Sequence, residues 1–515
     1  MALNIKSINK WNLWIIRITP AFCGALLTYF LNSTFSDDSW DSATISIYEA
    51  TKDISLIDKW FLDASMFEQY WQIKLFIQLS EIVNVSYYQF HKLFLVLIVF
   101  FLIYTISSLV FRVTESKKWG FFAGIFCMLF PTWPLSSSSV LDYYLIALSM
   151  GLFGAKLFIC SSSRILKFSG VVLILYSTGY AVMYIMAIIY ILLYARISTK
   201  DQLKRILKSY LFLGLLVLLL GKYFLTRTIF PTKNRYQDYN KFLDLSSLDS
   251  WISILIGIKA FSSFLIYVAV IILLPFLLHI FLTRNLSIEA ESAIKKGLGE
   301  VYKVRIVLLA FFGSTLPFIF VGKSTSLFWI EFNTGRHAIP LLVSLTLLLS
   351  IVGQNVTILF RKNQFHRPIM ILTFLSVFML SLVPSAKSWS NRVEESRIRL
   401  AIIKTLKPYG ESISPGIVRI QIKGSKNYTA NASDASLVMF RISGNVNAQT
   451  SITTEQFEAK IDMSGILQES NSAVDSKFKL ASECTTYILL ESNNDPGHLL
   501  KNLEYRVLQN KFICP

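Results

Sequence analysis

The sequence predicts an α-helical polytopic membrane protein followed by a small α+β domain outside the membrane, and three observations carry that reading. Hydrophobic residues make up 53% of the 515-residue chain and the mean hydropathy is +0.52, more apolar surface than the core of a soluble domain consumes. Uninterrupted apolar runs recur up to about Ala386, after which the composition becomes that of an ordinary soluble domain. The 50 Lys and Arg stand in short clusters between those runs, which fits the positive-inside rule better than it fits a nucleic-acid surface. The expected division is therefore 1–386 for the transmembrane part, with a first loop at 32–90, and 387–515 for the C-terminal domain.

A crossing helix needs roughly 20 apolar residues. Candidate spans fall at 11–31, 91–111, 119–132, 143–160, 168–178, 180–195, 208–225, 254–283, 305–321, 338–360 and 368–386, about eleven, so the termini should lie on opposite sides. The first carries no cleavable signal and is long enough to remain as a helix. The fifth and sixth are too short for full crossings, yet Arg164 and Lys167 before them and Arg196, Lys200, Lys204 and Arg205 after them require both ends on one side. A hairpin of short or tilted helices turning near Ser177, Thr178 and Gly179 reconciles these facts. Those clusters share a side with Lys6, Lys10, Arg112, Lys117, Lys118, Arg284, Lys295, Lys296, Lys303, Arg305, Arg361, Lys362 and Arg367. That side should be the cytoplasm, with the N-terminus there and the C-terminal domain opposite, in a bacterial inner membrane.

The outer side receives the loop from Asn32 to Phe90, where Asp37, Asp38, Asp41, Glu49, Asp53, Asp58, Asp63, Glu68 and Glu81 outnumber Lys52, Lys59 and Lys74. Inside it, Ala43–Ala50 and Met66–Leu79 read as helices. The second places Met66, Tyr70, Ile73 and Ile77 on one line, with Trp71 and Lys74 suited to a bilayer interface and Gln72 and Gln78 interrupting the apolar face. Later outward loops hold Trp133 to Asp142, then Arg227, Lys233 and Arg235, then Lys323, Glu331, Arg336 and His337. Outward cations beside an acidic rim suggest an anionic ligand.

In the C-terminal domain, Trp389–Lys407 reads as an amphipathic helix with Val393, Ile398, Ala401, Ile402 and Leu406 as its buried stripe. Val418, Ile420 and Ile422 alternate as a strand does, as do Val438, Phe440 and Ile442. Tyr487–Leu490 reads as another strand and His498–Leu508 as a helix after Pro496. Cys23, Cys127 and Cys160 read as small core residues, whereas Cys484 and Cys514 could form a disulfide in an oxidising compartment. Sequons at Asn427 and Asn431 would be accessible in this domain.

Chemistry on the outer face would need a carboxylate to deprotonate an acceptor hydroxyl and cations to hold a phosphate leaving group. Asp37 or Asp38 can serve as the base, since adjacent carboxylates raise each other's proton affinity. Arg336 suits a phosphate because its planar fork binds two oxygens, with Lys323 and Arg227 as looser candidates. Asp41, Asp142 and His337 are candidates for an acceptor or metal rim; the acid cluster offers oxygen ligands to a divalent ion such as Mg or Mn, but no spacing demands one. Each has a plain structural counterpart: a solvated loop or helix cap for the Asp pair and Asp142, a headgroup anchor for Arg336, a packing residue for His337.

A first span, an outward loop opening with Asp37 and Asp38, two interfacial helices, a long series of spans and a late RYxxP-like element, here Arg336, His337, Ala338, Ile339 and Pro340, together resemble the GT-C class of polyprenyl-phosphate-sugar-dependent glycosyltransferases. The group concerned is that of protein O-mannosyltransferases and aminoarabinose transferases, and the likeness covers roughly residues 10–390 in layout. It implies a GT-C-like fold, Asp37 as base with Asp38 as second choice, and Arg336 on the donor phosphate. The sequence departs from the pattern in having Asp38 where Glu is usual, FEQYWQIKLF in place of a Pro-Pro-Leu element, and His91-Lys92 where an Arg is common. The expected activity is inverting transfer of a sugar from a polyprenyl-phosphate donor to a glycan, lipid or protein acceptor, in contact with membrane lipid and without nucleic acid. The alternatives are a surface-polysaccharide polymerase or ligase using a lipid pyrophosphate donor, and a noncatalytic transporter or scaffold. Lys156 and Lys222 are the visible mid-span charges that a transporter would use.

Overall fold

In the computed structural model the described residues are 18–28, 67–85, 87–128, 139–178, 181–195, 200–229, 243–259, 261–262, 301–320, 339–359, 397–412, 417–423, 449–454, 485–493 and 503–513, with isolated positions elsewhere. They are mostly helical, with one small sheet. Two compact units emerge, one of Met1–Leu31, Phe61–Ser136 and Leu141–Ser388, the other of Asn32–Trp60, Ser137–Val140 and Trp389–Pro515.

In the first unit the helices are α1 (Ile18–Thr28), α2 (Phe67–Val83), α3 (Tyr87–Thr114), α4 (Lys117–Met128), α5 (Ser139–Cys160), α6 (Arg164–Ser177), α7 (Ala181–Tyr194), α8 (Lys200–Leu207), α9 (Tyr210–Ile229), α10 (248–259), α11 (Val301–Gly313), α12 (Leu316–Phe320) and α13 (Leu341–Leu359). Among the described residues one helix, Gln89–Thr114, is long and apolar enough by itself to cross a membrane; six shorter apolar helices accompany it. α3 packs against α2, α4, α7 and α13, and the last of these also meets α4 and α11. Every residue from Leu341 to Ile351 is buried, including Ser344, Thr346 and Ser350, as expected of a helix enclosed by others on all sides. The three hydroxyls are accommodated by bonds to the carbonyls of Leu341, Leu342 and Thr346 in their own helix.

Helix ends follow local chemistry. α2 stops where Asn84 takes a left-handed φ of 56°, letting the Val85 amide reach back to the Ser80 carbonyl at 3.0 Å. α3 stops at Glu115, φ 58°, whose amide bonds to the Phe111 carbonyl at 2.8 Å. The run expected as one span at 305–321 is instead broken at Ser314 and Thr315, because Pro317 brings no amide hydrogen to the helical ladder. α8 is an element that the pattern of apolar runs did not mark, being too short and charged to count as a span.

The predicted hairpin is present as α6 and α7, joined through Thr178. α5 and α6 cross at glycines: a Cβ on Gly154 would stand 2.8 Å from the Gly170 carbonyl, and one on Gly170 would stand 2.7 Å from that of Gly154. Gly151 faces Ser177 one turn away, so the two helices run antiparallel. Of the cysteines, Cys127 is buried as expected. Cys23 and Cys160 are exposed, not core residues, because they stand on helix faces that no other described helix covers.

In the second unit a four-stranded sheet has the order β2-β1-β3-β4, with β1 (Ile417–Lys423) parallel to β2 (Gln449–Thr454) and β3 (Thr485–Ser492), and β4 (Tyr505–Ile513) antiparallel to β3. The alternation read at Val418, Ile420 and Ile422 buries all three against Ile488 and Leu490. The stripe Ile398, Ala401, Ile402 and Leu406 of helix α14 (397–406) covers that face; Val393 lies outside the described residues. Two expectations are corrected. Val438 and Ile442 are helical and buried, four residues apart on one face, a spacing that satisfies helix and strand patterns alike. Residues 505–508, expected to end a helix, begin β4, whose β-branched and aromatic Tyr505, Val507, Phe512 and Ile513 pair with β3.

Candidate functional site

Most residues singled out for chemistry, namely Asp37, Asp38, Asp41, Lys323, Arg336 and His337, lie outside the described residues, as do Cys484 and Cys514 and the helix expected at Ala43–Ala50. Two others are placed by their backbone alone. Asp142 stands in the first turn of α5, on the side of Gly151 away from Gly154 and so beyond the hairpin turn. Arg227 stands near the end of α9, five residues after Lys222.

What the described residues do bring together is a polar cluster at the turn between α6 and α7. A helix leaves its last carbonyls without intrahelical partners, and a short helix among apolar neighbours has no water to satisfy them. Here Lys222 of α9 donates to the Leu175 carbonyl and, at 3.1 Å, to the Thr178 hydroxyl. Thr178 in turn donates to the same carbonyl at 2.7 Å, and Ser177 to that of Ile174 at 2.7 Å. A cation suits this position because the C-terminal end of a helix carries partial negative charge. The Tyr223 ring beside Lys222 meets Tyr184 of α7 edge-on, centroids 5.7 Å apart.

α2 meets α6 through a hydrogen bond two residues before Thr178. Tyr70, Ile73 and Ile77 are buried, as the stripe requires, while Trp71 is exposed. Gln72, which the sequence offers only as a blemish on that stripe, is buried too, and its Oε1 accepts from the Tyr176 hydroxyl at 3.0 Å. His91 is buried at the start of α3, stacked on Tyr87 at 5.6 Å and beside Phe76, a packing role. Lys156, the other mid-span lysine, donates to Ser108 at 3.4 Å and lies 5.2 Å above the Tyr104 ring. The hydroxyls of Thr105, Ser107 and Tyr190 are buried without a hydrogen-bond partner among the described residues.

A second set of contacts ties helix ends together at the opposite pole. Arg112 Nε donates to the Tyr194 carbonyl at 2.9 Å, and Gln354 Nε2 to that of Thr114 at 2.7 Å. Trp119 lies against Gly353, so closely that a Cβ there would meet the indole. The ends of α3, α7 and α13 and the start of α4 are therefore neighbours. Lys117 and Lys118 open α4 there, and α8, with Lys204 and Arg205, follows α7 in the chain.

Among the described residues no group of three His, Cys, Asp or Glu is placed to hold a metal ion. No protein-family model and no curated protein matches the sequence.

Proposed function

We propose that the chain is a multi-pass membrane glycosyltransferase that uses a polyprenyl-phosphate-linked sugar on the outer face of the membrane. The membrane part of this reading draws on apolar side chains exposed along the helices, such as Leu97 and Phe101 on α3 and Leu211, Val217 and Phe224 on α9, a surface suited to lipid. The observation that supports the orientation is the pair of Arg112 and Gln354 contacts, which bring the end of α3, with Lys117 and Lys118 just after it, beside the end of α7, from which the chain continues into the basic stretch at 200–208. The pole where they lie is the cytoplasmic one in this reading. By the alternation of spans along the sequence, Asp142, the first loop with Asp37 and Asp38 and the 322–340 loop with Arg336 are assigned to the outer face in this reading.

In the proposed reaction Asp37 or Asp38 takes the proton of an acceptor hydroxyl, the oxygen attacks the anomeric carbon, and the bond to the lipid phosphate breaks with inversion. Arg336, with Lys323 and Arg227, holds the departing phosphate. The hairpin of α6 and α7 adds a feature that favours a membrane active site over a plain bundle. Each of its 14-residue helices reaches only about 21 Å, short of the roughly 30 Å hydrocarbon layer. Its turn therefore stops inside the membrane, and non-helical backbone there is tolerated only within protein or beside a polar pocket.

The test compares surface glycans and accumulated polyprenyl-linked sugars in cells carrying wild type, Asp37→Asn, Asp38→Asn or Arg336→Ala at equal protein levels. Loss of a glycan with build-up of its lipid-linked precursor is expected for Arg336→Ala and for at least one Asp variant. Intact glycans in all three would end the proposal. The partly buried lysines 156 and 222 favour a second reading, a transporter; it predicts that Lys156→Met and Lys222→Met, and not the Asp variants, abolish function.

A further inference from the structure

The pole at which α8 and the starts of α6 and α9 lie in this reading carries its side chains in two layers. α8 presses Leu203 and Ile206 against the main helical core while Lys204, Arg205 and, just after it, Lys208 stay exposed. Arg164, at the start of α6, a helix that packs against α9, is exposed as well. Within one turn of these charges, farther along α6 and at the start of α9, the surface becomes apolar: Phe168 is 69% exposed and Tyr210 92%. Opposing charge at this pole is slight, with Asp201 and Glu115 the acids among the described residues of these segments. A solvated basic face has no use for large apolar side chains directly beneath it. An anionic headgroup layer lying over acyl chains calls for that order of groups.

We infer that this pole is a docking surface for acidic phospholipid headgroups, with Arg164, Lys204, Arg205 and Lys208 on the phosphates and Phe168 and Tyr210 among the first acyl carbons. The inference rests on the membrane-embedded half of the proposed function and is independent of its chemistry, so its test needs no sugar transfer. The occupant is a lipid and not a nucleic acid because a duplex would satisfy the cations and leave the aromatic rings in water.

The full-length chain, purified in a zwitterionic detergent, is titrated with phosphatidylglycerol, with phosphatidylcholine and with a short DNA duplex, and the thermal unfolding midpoint is followed. Phosphatidylglycerol should raise the midpoint in a salt-sensitive way and phosphatidylcholine should not. The variant Lys204→Gln/Arg205→Gln/Lys208→Gln should weaken the apparent affinity tenfold or more, since each basic residue near an anionic surface is worth roughly a fivefold change. Lys259→Gln, an exposed lysine on α10, should leave it unchanged. Equal responses to both lipids, an affinity untouched by the triple variant, or an equal shift with DNA would each overturn the inference. Should the triple variant fail to fold, the wild-type response at about 1 M salt decides: the Debye length there is about 3 Å, so the shift must collapse, and a shift that persists is the contrary result. Failure of the glycan test with success here would leave a membrane protein of another activity.

Discussion

The helical unit and the sheet-bearing unit solve one problem by different routes. Every buried backbone donor and acceptor must find a partner. In the sheet, β1 is paired along both edges, to β2 and β3, so its groups are met by the ladder itself. In the helical unit the ladder is internal to each helix and fails at its end, and at three such ends a side chain of another helix supplies a partner: Lys222 on Leu175, Arg112 on Tyr194, Gln354 on Thr114. The helical unit is thus sensitive to single polar side chains, whereas the sheet answers mainly to its apolar face.

The sharpest break in that comparison is steric. Gly170→Leu places a side chain where even a Cβ would meet the Gly154 carbonyl at 2.7 Å, and should cost about 3 kcal/mol or more, read as a loss of folded protein in detergent. Ile420→Ala, in the centre of β1 between Ile452 and Ile488, should cost about 3 kcal/mol in the second unit, seen as earlier loss of its β signal by circular dichroism. Lys222→Met should cost about 2 kcal/mol, the worth of charge-assisted bonds to Leu175 and Thr178, and Lys222→Arg should recover part of it. Gln72→Leu, which removes the acceptor from the Tyr176 hydroxyl, should cost about 1 kcal/mol and loosen α2 as read by hydrogen exchange. Smallest of all, Lys404→Ala should change stability by about 0.5 kcal/mol or less. Its 3.5 Å pair with Glu504 is largely exposed, at 78% and 57%, and surface ion pairs contribute little.

The same contrast explains what could be read from the residues beforehand. Periodicity reports which face is covered, so the stripe on α14, the alternation in β1 and the Tyr70, Ile73 and Ile77 line on α2 were all legible. The hairpin was legible from length and charge together, because Arg164 and Arg196 had to end on one side. Partner identity was not. Gln72 and Lys222 stand out only as polar residues in apolar runs, and nothing local tells that one meets Tyr176 and the other a carbonyl 47 residues away. Val438 and Ile442 misled because two buried residues four apart fit either period. The acids at 37 and 38 and the guanidinium at 336 were legible as charge against a basic background, and their geometry lies outside the described residues.

Reconstituted full-length protein, given a polyprenyl-phosphate-linked labelled sugar and extracts containing acceptor, offers the most direct measurement: release of the polyprenyl phosphate over time. Wild type should release it in step with sugar transfer, and Asp37→Asn/Asp38→Asn should bind the donor yet release nothing above background. Release at the wild-type rate from the double variant would contradict the assignment of the first-loop acids as the base.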